Sequence, residues 1–190
     1  IDGAMGRTIG AVAAGRKRIS VMTSEVTQYV TLGIDREVFA VPVERVQEIL
    51  DMRPVARLPH APPYLMGMID VRGRGVPVID LRVRLGLAPV EATVHTRILV
   101  LEVTAGGRDL VLGLLADRVF EVTGLDGGRL EPPPEIGTRW RSDCITGVGR
   151  RGEAFVVVFD LARLFAADEV PVLAAAPEGV PAGVPAGAAA

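Results

Sequence analysis

The chain carries one short pattern twice, and this constrains its fold more than any other feature. Val38-Phe39-Ala40-Val41-Pro42-Val43-Glu44-Arg45-Val46-Gln47-Glu48-Ile49 lines up, at a constant offset, with Val111-Leu112-Gly113-Leu114-Leu115-Ala116-Asp117-Arg118-Val119-Phe120-Glu121-Val122. The shared centre is acidic-Arg-Val-x-Glu-aliphatic. A second block follows in the same order: Val78-Ile79-Asp80-Leu81 matches Val158-Phe159-Asp160-Leu161, and Gly67 matches Gly147. The offset is larger in this block, so the second copy carries an insertion, placed between its proline segment and Ile145. Two matching blocks in one order point to internal duplication.

Each copy reads as short strands separated by turns. In the first, Gln28 to Leu32, Val38 to Val43, Met68 to Val71 and Val76 to Leu81 are predicted strands. Turns are expected at Gly33 to Arg36 and Gly73 to Gly75. In the second, Arg97 to Val103, Leu110 to Ala116, Ile145 to Val148 and Phe155 to Phe159 are the strands, with turns at Ala105 to Gly107 and at Arg151-Gly152. Val46, Ile49 and Leu50 have helical spacing, which predicts a short helix over Glu44 to Leu50. Leu161, Leu164 and Phe165 predict a closing helix over Asp160 to Ala167, with Asp160 as its N-cap. Hydrophobic residues make up 49% of the chain and aromatics only 4%, so a core must be built from aliphatic side chains. A copy of this size buries little alone. The expected fold is all-β: two small barrels packed together, whose closure removes exposed strand edges. A single large β-sandwich also fits the strand count but explains the repeat less well.

The ends read differently. Residues 1–21 lack a sustained period and are expected to be an N-terminal extension or cloning residue outside the fold, with Met22 as the expected native start. Residues 22–170 are the expected domain. Residues 171–190, rich in Ala, Pro, Gly and Val, are expected to be a disordered tail.

Chemistry is sparse. Net charge is −2, which argues against the clustered basic face of a nucleic-acid binder. No apolar run reaches the length of a membrane span. His60 and His95 have no histidine or cysteine at metal-ligand spacing. Cys144 is the only cysteine. Asp143 beside it disfavours a thiolate, so it reads as a small residue at a strand start. Asp80 and Asp160 are equivalent carboxylates at strand ends, read as caps of chain reversals rather than a catalytic pair. Arg72-Gly73-Arg74-Gly75 lacks the ending of a phosphate loop and reads as a hairpin turn carrying two arginines. No reactive cluster remains, so the expected role is binding, without catalysis and without a cofactor or metal.

The residues also resemble a known family. Tyr29-Val30-Thr31-Leu32-Gly33 and Val43-Glu44-Arg45-Val46-Gln47-Glu48-Ile49 are similar to the opening of CheW, and Leu65-Met66-Gly67-Met68-Ile69-Asp70-Val71-Arg72-Gly73-Arg74-Gly75-Val76-Pro77-Val78-Ile79-Asp80-Leu81-Arg82 is similar to its most distinctive block. Leu115 to Val119 and Ile145 to Gly149 extend the match, which runs from Val26 to Ala167. The resemblance implies two SH3-like five-stranded barrels with short helices. It implies a cytoplasmic adaptor, monomeric when free, recruited to membrane-associated receptor arrays. Its partners would be the regulatory domain of the histidine kinase CheA and the cytoplasmic tip of a chemoreceptor. Carried over by residue, Val46, Gly67, Arg72 and Val122 would line or support a receptor groove. Glu48, Ile49 and Leu50 would face one kinase contact, and Glu131 and Ile136 a second. The chain departs from the family at Asp70-Val71, where Asn-Leu is usual, and at Ile136 and Glu131, where an aromatic and a basic residue are common. Other readings are a scaffold of a non-chemotactic chemosensory pathway, the regulatory domain of a kinase, a fusion to a receiver, and a small β-barrel enzyme.

Overall fold

The computed structural model describes residues 27–132, 144–165 and 173. Among these residues ten strands form two five-stranded antiparallel-dominated sheets. The first half supplies β1 (Gln28–Ile34), β2 (Glu37–Pro42), β3 (Val46–Asp51), β4 (Leu65–Val71) and β5 (Arg74–Asp80). The second supplies β6 (Arg97–Ala105), β7 (Arg108–Ala116), β8 (Arg118–Gly124), β9 (Ile145–Arg151) and β10 (Ala154–Phe159). One sheet has the order β8-β1-β2-β10-β9 and the other β3-β6-β7-β5-β4. Exchanging β1 to β5 with β6 to β10 turns one order into the other. The duplication is therefore visible as a pseudo-twofold. The barrels do not correspond to the sequence copies: each takes two strands from one copy and three from the other. Parallel pairings of β5 with β7 and of β10 with β2 sew the copies together.

Each SH3-like barrel is closed by the same device. After β3 the chain crosses the edge strand β4, where Ala56 and Met68 exchange both backbone hydrogen bonds at 2.8 Å. After β8, Glu131 and Val148 of β9 do the same at 2.9 Å. These bonds satisfy edge groups that would otherwise be open to pairing.

Burial explains the runs of consecutive aliphatic residues. Along β6, Ile98 and Val100 face the interior of one barrel, while Leu99, Leu101 and Val103 face a core shared by both barrels. Along β10, Val156 and Val158 fill the other barrel, and Phe159 joins the shared core, stacked on Phe39 with centroids 4.7 Å apart. A strand buried on both faces loses its apolar–polar alternation. Leu173 is also buried in the shared core.

Two helical expectations fail. Glu44 to Leu50 is not a helix: Val43–Arg45 is one 3-10 turn, and β3 follows, paired with β6. A register shift between Val46 and Glu48 disguises the strand period, because a bulge inserts one residue and breaks alternation. Its counterpart β8, which the turn and strand signals miss, carries the equivalent shift, and the buried Thr31 hydroxyl bonds both the N–H and the C=O of Glu121 there. The Asp160 segment forms turns through Phe165, not the expected helix, although Asp160 caps it as read: its carboxylate accepts from the N–H groups of Ala162 and Arg163. Residues 166–167 lie outside the described residues. Asp80 caps the single helical turn α1 (Leu81–Arg84) by accepting from the Val83 N–H at 3.2 Å.

Candidate functional site

The residues expected to bind partners fall in two places. The first is the seam between β3 and β4, the two edges of one sheet. Here the Arg72 guanidinium lies 2.8 Å from the Glu48 carboxylate, so a residue expected at the receptor meets one expected at the kinase. Arg72 and Gly73 both have positive φ and form the two-residue turn between β4 and β5, one position earlier than the turn read from sequence. That is the hairpin geometry favoured by strand twist, and it throws the Arg72 side chain outward over β3. The Asp70 carboxylate accepts from the Gly73 N–H and so braces this turn. The resemblance leads us to expect an asparagine here, and an aspartate serves this bond as well as an asparagine would.

The other seam repeats the pairing. Glu121 on β8, the repeat partner of Glu48, is bonded to Arg151 at the end of β9. That bond holds the Glu121 carboxyl below the usual carboxylate range, and the same partner raises the Arg151 pKa. The repeated glutamate thus straps each edge strand to the facing hairpin.

Gly67 sits where the chain after β3 crosses β4. Its φ is +142°, and a Cβ there would overlap the Ala56 carbonyl group. Gly147 holds the equivalent place under Glu131. Gly67 therefore supports the surface from beneath by permitting barrel closure.

The second place is the outer margin of the shared core. Ile49 on β3 is 43% exposed and Val122 on β8 is 52% exposed. They are repeat partners. Each lies opposite a residue of the shared core, Leu99 for Ile49 and Val30 for Val122. Residues directly opposite in a ladder point to the same side, so both extend the shared apolar layer into solvent, at pseudo-equivalent edges of different sheets. Val46 packs on that core from the start of β3. Leu50 points the other way, into the barrel interior near Ile98 and Val100. Glu131 is exposed at its bridge to Val148, and Ile136 lies outside the described residues.

Sequence reading missed three features. Phe120 and Phe155 are about half exposed, with Arg118 and Arg150 over their rings. A mostly apolar cleft of about 640 Å³ lies between the proline loop after β3 and α1, lined by Met52, Val55, Leu58, Met66 and Val83, with Arg53 and Arg57. Arg82 joins Asp117 and Asp35 in an ion-pair network between the barrels. The proline run announced a loop but not a cleft, and no short motif links Arg82 to residues so far along the chain. Tyr29, whose pKa is raised by burial and then by Glu44, lines one barrel interior. Among the described residues no three His, Cys, Asp or Glu side chains cluster to hold a metal, and no helix is long and apolar enough to cross a membrane.

The family model for the CheW-like domain matches residues 28–169, nearly the whole of the described fold. The chain belongs to the CheW family. It is 28% identical to the chemotaxis protein CheW of Klebsiella aerogenes over 84% of this chain and 95% of that one. It is 30% identical to the probable chemotaxis protein CheW of Rhizobium etli, over 75% and 89% of the two chains. Among solved structures it is similar to the scaffolding protein TtCheW from Thermoanaerobacter tengcongensis, with a TM-score of 0.65 and 27% identity over 73% of this chain and 92% of that one. The two-barrel CheW architecture and the sequence resemblance therefore agree.

Proposed function

We propose that the protein is a non-catalytic coupling protein that joins the tips of chemoreceptors to the regulatory domain of a CheA kinase. The observation that carries this reading is the pair of half-exposed aliphatic residues, Ile49 and Val122, one on each barrel, each continuing a buried core outward. Apolar anchors of this kind supply affinity at protein interfaces. Two such edges on one protein let it hold two partners at once, which is what coupling requires. The names of its relatives, chemotaxis proteins and a scaffolding protein, support the same role. It would act in the cytoplasm at receptor arrays.

In this reading Ile49 is the exposed kinase anchor, with Glu48 beside it and Leu50 fixing β3 from behind. Glu131 and the segment around Ile136 belong to the second kinase contact. Val46 and Val122 offer apolar surface to a receptor helical hairpin, Gly67 shapes the barrel beneath, and Arg72 supplies a directional donor.

Calorimetry with the CheA regulatory domain from the same cell tests the kinase half. One-to-one binding at micromolar affinity or tighter is expected; no binding to any CheA regulatory domain of that cell would overturn it. Ile49→Asp is expected to weaken this binding by about 2 kcal/mol, roughly 30-fold, with the receptor affinity much less changed. An unchanged kinase affinity would remove Ile49 from that face.

Arg72→Glu separates two roles. It puts two carboxylates together at the β3–β4 seam, but an exposed ion pair contributes only about 0–1 kcal/mol to stability. The variant is therefore expected to unfold within about 1 kcal/mol of the parent in urea, while binding to a receptor-tip fragment falls clearly. Equal receptor affinity in the folded variant would leave Arg72 with only its strap to Glu48.

A further inference from the structure

The pseudo-twofold relating the two barrels is broken at one of the two junctions between them. Arg82, on α1 of one barrel, reaches across the junction to Asp117 at 2.6 Å and to Asp35 at 3.5 Å. Its Nε also donates to the Ala88 carbonyl at 3.0 Å. Asp35 lies in the β1–β2 turn of the other barrel, and Asp117 lies where the chain passes from β7 in one sheet to β8 in the other. Backbone bonds complete the knot: the Asp35 N–H donates to the Asp117 carboxylate at 2.7 Å, and the Asp117 N–H donates to the Gly33 carbonyl at 3.1 Å. The Arg82 side chain is only 13% exposed, so these charges are less screened than a surface pair.

Among the described residues the equivalent junction has no such knot. In the repeat Arg82 corresponds to Ala162 and Asp117 to Glu44, and the turn that carries Asp35 corresponds to the uncharged Gly106-Gly107 turn. Ala162 has no head group to cross the gap, and both it and Glu44 are exposed. In place of the network lies a cleft of about 240 Å³, lined among others by Pro42, Arg45, Glu102, Thr104, Phe159 and Ala162. The shared apolar core is non-directional, and near the pseudo-twofold Arg84 of α1 donates to the Leu164 carbonyl in the segment after β10 at 2.8 Å, away from the edges of both junctions. Directional charge-assisted bonds fix an angle as well as a contact.

We infer that Arg82 is a positioning residue. With Asp117 and Asp35 it locks one of the two pseudo-equivalent junctions between the barrels, so relative motion of the barrels opens on the Ala162 side. The width of the groove between the barrels is then set by a one-sided clamp and not by the apolar core alone.

Electron–electron distance measurements between spin labels test this on the full chain, with Cys144→Ala to remove the native thiol. Labels at Glu37→Cys and Asp51→Cys span the locked junction, and labels at Arg108→Cys and Ala162→Cys the open one. A narrow distribution is expected across the first and a broader one across the second. Arg82→Gln is expected to broaden the first and shift it by on the order of a few ångström, and Arg82→Lys to restore part of the narrowness. An unchanged distribution at the locked junction in folded Arg82→Gln would overturn the clamp. If that variant does not fold, Asp117→Asn is read at the same labels. Its amide oxygen still accepts the Asp35 N–H while the charge is gone, and an unchanged distribution there would equally overturn it. No partner enters the measurement, so its outcome is independent of the coupling role.

Discussion

Replacing Gly67 with alanine is expected to destabilise the fold by about 3 kcal/mol or more. Two costs coincide there. The backbone sits at φ +142°, a region that residues with a Cβ avoid. The new methyl would overlap the Ala56 carbonyl oxygen and stand 2.8 Å from its carbon. Neither neighbour can yield cheaply, because Ala56 and Met68 are joined by both hydrogen bonds of the bridge that closes the barrel. Gly107→Ala is the control. Its φ is also positive, at +74°, but nothing lies within 4 Å of the added carbon. Strain alone should cost about 1–2 kcal/mol there. Urea unfolding of both variants measures the difference. Equal costs would mean that the crossing strand gives way and that barrel closure is not rigid. The result also bears on function: loss of receptor binding in a Gly67 variant reports a deformed barrel before it reports a lost contact.

Leu101→Ala is expected to cost about 3–5 kcal/mol and to be felt in both barrels. Leu101 is fully buried in the core that the two sheets share. Truncation there leaves a cavity walled by both sheets, and close-packed interiors do not relax to fill one. Native-state hydrogen exchange distinguishes shared from local damage. The amides of Val156 and Val158, in the sheet that does not contain Leu101, should lose as much protection as those of Val76 and Val78, in the sheet that does. Loss confined to Val76 and Val78 would mean that the barrels unfold separately and that the exchange of strands between copies does not couple them.

The duplication and most of the strands were legible in the residues because aliphatic runs bounded by Gly and Asp turns leave few alternatives. The failures have a common cause. Val46, Ile49 and Leu50 have helical spacing only because a bulge beside Gln47 breaks the strand period, and β8 hides behind the equivalent bulge at Glu121. Pairing with β6 and β1 decides both, and pairing between distant strands leaves no local signal. The same limit applies to the site. Ile49 and Val122 stand in the repeat as partners, yet only the folded sheet shows that both emerge at the margin of one shared core. Glu48 and Arg72 were assigned to different partners, and only the closed seam brings them together. Asp80 and Asp160 were read correctly as caps because capping is a local interaction, complete within a few residues.

The central claim is that one molecule holds a receptor and a kinase together. Sedimentation of vesicles bearing a chemoreceptor's cytoplasmic tip, mixed with the CheA regulatory domain, tests it most directly. The regulatory domain should pellet with the vesicles only when this protein is added, and Ile49→Asp should release the kinase domain while the protein itself still pellets. A regulatory domain that stays in the supernatant, although the protein binds the vesicles, would contradict the coupling role and leave a CheW-like fold that serves one partner.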